Sequence, residues 1–234
     1  MGRKIAGSAF VALVVACGSA QEAPERPPLD RRADTAAGTD VPAIVFLGTS
    51  LTAGLGVGED AAFPALIQDT VDALGLGLRV VNAGINGETS AGGRRRIDWL
   101  LRQPVAVLVI ELGANDGLRG LDVRAMRANL QGIIDRTRSV RPEARIVLVG
   151  MRAPPNLGMI YTEAFERVFR ELAADNELAL VPFLLDGVGG NPKLNQPDGI
   201  HPTVEGHRIV ARNVWRALAD VAREVVADAT SGGS

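Results

Sequence analysis

The chain has 234 residues, 47% hydrophobic and 22% charged, which is enough apolar material for a buried core and too much for a disordered tail. Its 25 basic and 27 acidic residues leave a net charge of −2, and aromatic residues are only 4%, so there is neither a basic nucleic-acid footprint nor a base-stacking platform. One cysteine excludes an intrachain disulfide and a Cys-based zinc cluster, two histidines argue against a His-rich metal site, and lysine chemistry is limited to Lys4 and Lys193.

In chain order, Arg3 and Lys4 precede an apolar run, Ile5–Ala16, too short to cross a bilayer and of the length of a signal-peptide core. Residues 1–16 are therefore expected to be a signal peptide of lipoprotein type. The run ends in Val14-Val15-Ala16-Cys17-Gly18, which resembles a bacterial lipobox, with Val14 where Leu is more usual. Cys17 is then the expected lipidation site, and an ordinary cleavable signal with an incidental Cys is the alternative. The expectation is export in bacteria, with a membrane anchor and the domain facing the periplasm or the exterior. Residues 17–40 carry Pro24, Pro27 and Pro28 and no periodic apolar pattern, and read as a flexible tether. The domain is expected over 41–228, and 229–234 as a frayed tail.

Ala43–Leu47 is a short continuous apolar run, the pattern of a strand buried on both faces, and Leu78–Val81, Val105–Ile110, Ile146–Val149 and Leu178–Val181 repeat it. Helical periodicity fills the intervals at about Ala62–Leu74, Ala91–Leu101, Val123–Val140 and Ile160–Asp175, with a last helix from Thr203 to about Ala227. In that helix Val210, Val214, Leu218, Val221 and Val225 form an apolar stripe. The alternation predicts an α/β fold, three layers α/β/α around a five-stranded parallel doubly wound sheet. Ligands of such sheets bind beyond the carboxyl ends of the strands, so the residues following each strand carry the functional signal.

The first strand is followed by Gly48-Thr49-Ser50-Leu51, a Ser at a Gly-flanked turn. It lacks both the Gly-Lys-Ser/Thr of a phosphate loop and the Gly-x-Ser-x-Gly of an α/β-hydrolase elbow, and reads equally as a functional Ser or a helix cap. The second strand is followed by Asn82-Ala83-Gly84-Ile85-Asn86-Gly87-Glu88-Thr89 and the third by Gly113-Ala114-Asn115-Asp116-Gly117. Both offer N–H donors of the kind an oxyanion needs, and both are also ordinary turn chemistry. Asp198-Gly199-Ile200-His201 sets a carboxylate three residues before an imidazole, a spacing that lets a buried Asp198 hold the His201 ring, or serves only as a turn before a Thr203 cap. His207 reads as a helix-surface residue, and Arg94-Arg95-Arg96 as a solvated helix face.

Together these loops resemble the four blocks of the SGNH hydrolases, or GDSL lipases/esterases, over about Ala43 to Ala227. Glu111-Leu112-Gly113-Ala114-Asn115-Asp116-Gly117-Leu118-Arg119-Gly120 and Tyr161-Thr162-Glu163-Ala164-Phe165 are similar to the branch of bacterial acyl-CoA thioesterase/lysophospholipases and arylesterases. The resemblance implies a flavodoxin-like SGNH hydrolase fold and a serine esterase acting on aryl, short or medium acyl, or lysophospholipid esters. It implies Ser50 as nucleophile, His201 as base and Asp198 as its orienter. The oxyanion donors would be the Ser50 N–H, the Gly87 N–H and the Asn115 side chain. No metal or organic cofactor is implied, and the partners are a small-molecule ester or lipid and a membrane, not nucleic acid. Thr49 departs from the family's usual Asp, which puts the rigidity of the turn in question. The apolar loop Met151–Met159, with Pro154, Pro155 and Leu157, is the expected acyl pocket, and Arg152 beside it is either solvated or a partner for an anionic head group. Alternatives are O-deacetylation of a polysaccharide or thioester hydrolysis on the same fold, or a non-catalytic lipid- or sugar-binding lipoprotein.

Overall fold

The computed structural model describes Gly2 and residues 41–231. The expected signal peptide, Cys17 and the tether over 17–40 lie outside the described residues, as do residues 232–234. Of the two units into which the chain divides, Met1–Ala37 and Gly38–Ser234, the second holds everything below.

Five strands form one parallel sheet: β1 (Ala43–Gly48), β2 (Arg79–Gly84), β3 (Val107–Glu111), β4 (Arg145–Val149) and β5 (Ala179–Val181), in the order β2-β1-β3-β4-β5. This is the flavodoxin-like order, with the switch point between β1 and β3. The register pairs Val45 with Val81 and Leu108, and Val109 with Val147. β1 and β3 are buried at every residue, which is why they read as unbroken apolar runs, whereas the edge strand β2 is half-buried throughout. The second strand runs further than its apolar residues suggest. Asn82-Ala83-Gly84, expected in the following loop, pair with Phe46, Leu47 and Gly48. Polar Asn82 is accommodated because its Nδ2 donates to the Thr52 carbonyl at 2.9 Å and its Oδ1 accepts from Gly84 N–H at 3.0 Å.

The helices are α1 (Ser50–Ala53), α2 (Phe63–Ala73), α3 (Ser90–Leu100), α4 (Ala114–Leu118), α5 (Val123–Val140), α6 (Met159–Asp175) and α7 (Val204–Ser231). One layer packs α2 on α7, and the other packs α3 on α5 and α5 on α6. Phe46, Phe63, Phe165 and Phe169 are fully buried between sheet and helices, in two edge-to-face pairs, Phe46–Phe63 and Phe165–Phe169, each with ring centres 5.5 Å apart. Each such ring stabilises the fold by roughly 1.5–3 kcal/mol through burial. Helix α7 continues past Ala227 to Ser231, so residues 229–231 are helical rather than frayed. Its end is satisfied by Thr230 and Ser231, whose hydroxyls donate back to the Ala227 carbonyl.

Candidate active site

β1 delivers its chain to a turn that Thr49, not Ser50, caps. The Thr49 hydroxyl accepts from Leu51 N–H, Ser50 is the first residue of α1, and Gly54 closes the helix in the left-handed region at φ 76°. Beneath this turn lies Glu111, the last residue of β3, fully buried. It accepts from Thr49 N–H at 2.9 Å, from the Thr49 hydroxyl at 3.0 Å and from the Thr52 hydroxyl at 2.7 Å. Burial pushes its carboxyl from 4.5 up to about 7, against the opposing pull of those donors. Thr49 therefore does not loosen the turn: it supplies two of the three donors that hold the buried Glu111 carboxylate. Gly48 is required by the same packing, because a Cβ there would stand 2.0 Å from Thr52 Oγ1 and 2.8 Å from Glu111 Oε2.

Ser50 is 8% exposed and its hydroxyl lies 2.9 Å from His201 Nε2. His201 Nδ1 lies 2.6 Å from Asp198 Oδ2. Since a carboxylate only accepts, Nδ1 carries the proton and Nε2 is left to accept from Ser50. Asp198 Oδ1 also accepts the N–H groups of Ile200 and His201 at 2.9 and 3.0 Å. The His201 ring, and then these two amides, hold the Asp198 carboxyl at about 2, below the ordinary 3.8. The expected buried carboxylate is corrected: 44% of the Asp198 side chain is in water. That loop is strapped to the nucleophile side by Gln196, whose Nε2 donates to the carbonyls of Leu55 at 2.7 Å and Pro202 at 2.9 Å.

The three expected oxyanion donors come from the ends of adjacent strands. Ile85 N–H, after β2, donates to Gly48 O at 3.0 Å, and Asn115 Nδ2, after β3, donates to Glu88 O at 3.0 Å. One hydrogen of the Asn115 amide remains. Gly87 holds φ at 74°, a conformation an L side chain resists. Among the described residues neither Ser50 N–H nor Gly87 N–H donates a hydrogen bond within the protein.

Two further expectations are corrected. Arg96 is not on a solvated face. Its Nε donates to both oxygens of Glu88, and its NH2 donates to Ala83 O at 2.7 Å and to Gly48 O at 3.3 Å, pinning the ends of β1 and β2 to the loop that carries Gly87. Arg94 reaches the Ala128 carbonyl, and Arg95 is exposed. His207 is buried at 1% exposure, lies nearly parallel to Phe63, and accepts Phe63 N–H on Nδ1 at 3.2 Å. Desolvation, and then the charge of His201, push it from 6.5 down to about 4. His207 therefore stays neutral behind the site. A signal was available: carrying the α7 stripe back three residues from Val210 lands on His207. Glu111 could similarly have been noticed as a carboxylate continuing a wholly apolar strand, while nothing in the spacing foretold the partners of Arg96.

The loop expected to line an acyl pocket packs beside α4. The Ala153 backbone and Phe165 crowd Gly117, and the Leu157 side chain approaches Gly120. Met159 and Ile160 stand 75% and 90% exposed at the start of α6. Arg152 is largely solvated, with 58% of its side chain in water, while lying 4.4 Å from the Phe183 ring centre and 3.9 Å from Glu166. Among the described residues, no three His, Cys, Asp or Glu side chains gather as a metal-binding group.

The model of the GDSL-like lipase/acylhydrolase family matches residues 46–209, the span that carries every one of these loops. The chain belongs to that family. Esterase TesA of Pseudomonas aeruginosa is 42% identical to it over 176 residues, covering 75% of this chain and 87% of the relative. Thioesterase 1/protease 1/lysophospholipase L1 of Escherichia coli K12 is 38% identical over 170 residues, 72% of this chain and 79% of the relative. A crystal structure of TesA superimposes with a TM-score of 0.73 at 41% identity, covering 76% of this chain and 99% of that one. This member of the GDSL-like family is an ester hydrolase on an α/β sheet with parallel strands.

Proposed function

We propose that this hydrolase cleaves carboxylic esters through an acyl-enzyme on Ser50. His201 Nε2 takes the Ser50 proton as Oγ attacks the ester carbonyl, and Asp198 keeps the ring in the tautomer that can do so. The oxyanion that forms is held by Ser50 N–H, Gly87 N–H and the free hydrogen of the Asn115 amide, donors already oriented before charge develops. His201 returns its proton to the leaving alcohol and then activates the water that clears the acyl group. The continuous relay Ser50 Oγ–His201–Asp198, at 2.9 and 2.6 Å, carries this reading.

The substrate class we favour is aryl, short or medium acyl, or lysophospholipid esters. The apolar composition of Met151–Met159 and the exposed Met159 and Ile160 favour an acyl group over a sugar as the group transferred. The relative named for thioesterase and lysophospholipase activity is in keeping with this. Hydrolysis of 4-nitrophenyl esters of graded chain length tests the reading. Turnover should persist beyond acetate. Activity confined to acetyl groups would favour the O-deacetylase alternative, and no turnover on any ester would overturn the proposal. We further propose that Cys17 is lipidated and that the domain works outside the cytoplasm, anchored to a membrane. Palmitate labelling that disappears in Cys17→Ser is the expected result.

A further inference from the structure

Away from Ser50, α2 and α7 leave a groove of about 520 Å³ between them. Leu66 and Thr70 of α2 and Ala211 and Trp215 of α7 form its apolar floor, and Arg208, Arg212 and Arg216 stand along its rim. The three arginines recur at every fourth residue, so they line one face of α7 over about 12 Å. Such spacing sets like charges next to one another, an unfavourable arrangement unless something anionic sits among them. Only Arg208 has such a partner, Glu205 at 2.8 Å. Among the described residues no acidic oxygen lies within 4 Å of Arg212 or Arg216. This basic stripe sits on a chain whose net charge is −2, so it is local rather than a reflection of overall composition.

We infer that this groove binds a single-chain amphiphile with a carboxylate head, a fatty acid anion. The guanidinium fork of Arg212 or Arg216 matches the two carboxylate oxygens, and the alkyl chain lies over Trp215, Leu66 and Ala211. Apolar surface and unpaired cations are both needed by this ligand. An uncharged lipid would leave the arginines uncompensated, and a small anion would leave the floor wet. The choice of a fatty acid over other anionic amphiphiles rests on the proposed function, which releases one. The groove itself shares no residue with the Ser50 relay.

Trp215 reports directly on occupancy. In the full chain carrying Trp99→Phe it is the remaining tryptophan, and dodecanoate below its micelle concentration is the probe, with calorimetry as a second readout. Saturable binding is expected, weakened at least ~10-fold in Arg212→Gln/Arg216→Gln, with loss of the charged contacts. Dodecanol and dodecyltrimethylammonium should bind far more weakly, and hydrolysis of a soluble acetate ester should be unchanged in the double variant. Binding should also survive when Ser50 is blocked by a phosphonate, which separates the groove from the catalytic reading. If Ser50 takes up no phosphonate, the proposed nucleophile fails while the arginine comparison still decides the groove. No binding by either readout, equal affinity in the double variant, loss of binding on blocking Ser50, or attachment only to phosphatidylglycerol vesicles would each overturn the inference.

Discussion

Ser50 stands on a turn braced by the buried Glu111 and by Arg96, whereas Asp198 stands on a loop with nearly half of its side chain in water. The serine side is held by long-range contacts. Glu111 arrives from β3 to take three donors under the turn, and Arg96 arrives from α3 to hold the carbonyls of Gly48 and Ala83. The histidine side is held by short-range contacts: Asp198 binds the amides two and three residues onward and the ring of His201, and Gln196 alone straps this loop to Leu55. Under the proposed mechanism the difference separates two tasks. A nucleophile and its oxyanion donors need fixed geometry, which a buried network provides because losing any member leaves unpaired polar atoms. A base needs to swing a proton between two partners, and a locally folded, wetter loop suffices to keep its tautomer.

Removing the relay itself should have the largest effect. Ser50→Ala and His201→Ala should each lower kcat by ~10⁴–10⁶, measured on a 4-nitrophenyl ester, since both act in the same step. A variant keeping a tenth of the activity would show that another group does the chemistry. Breaking the buried side comes next. Glu111→Ala strands Thr49 N–H and two hydroxyls, so it should cost about 2–5 kcal/mol of stability and, by shifting Ser50, ~10²-fold in kcat with KM little changed. Denaturant unfolding and steady-state kinetics on one preparation test both. Breaking the wet side should be gentler on stability. Asp198→Ala should lower kcat by ~10², less than for a buried triad carboxylate because water can partly replace it, and leave the unfolding midpoint nearly unchanged. Equal stability losses in Glu111→Ala and Asp198→Ala would erase the distinction between the two sides.

The smallest effect is in the pH dependence of stability, and here two buried groups oppose one another. Glu111 is raised to about 7, so its protonation favours the folded state as pH falls from about 7 toward 4.5. His207 is lowered to about 4, so the unfolded chain takes up a proton first, and stability falls as pH drops from about 6.5 toward 4. The two windows overlap. Glu111→Gln should therefore make the protein lose more stability on acidification than wild type, and His207→Gln less. Unfolding midpoints taken between pH 4 and 7 should diverge in those opposite directions.

The sheet was legible because its central strands are buried on both faces and so are apolar except at single end positions, Glu111 of β3 and Arg145 of β4, while the helices between them keep a 3–4 stripe. The limits of that legibility are informative. β2 extends through Asn82 because its side chain finds a partner in the Thr52 carbonyl of α1, a tertiary fact that no local pattern carries. The loops bearing Ser50, Gly87 and Asn115 were readable because they follow strands, and Asp198 and His201 because a carboxylate three residues before an imidazole precedes the last helix. Their supports were not: Arg96 looks like any surface arginine until its eight-residue reach to Glu88 is folded, and the spacing of Asp198 and His201 reports contact but not exposure. Thr49 is the instructive case, since the residue that departs from the family pattern is the one that donates twice to Glu111.

Reaction with a fluorophosphonate followed by peptide mass mapping addresses the relay most directly, because the reagent reacts fastest with a serine hydroxyl that a neighbouring base has activated. The proposed mechanism predicts one phosphonyl group, on Ser50, with a labelling rate that falls by ~10⁴ in His201→Ala and by only ~10² in Asp198→Ala. A label on any other residue, or labelling of Ser50 at the wild-type rate without His201, would contradict the account.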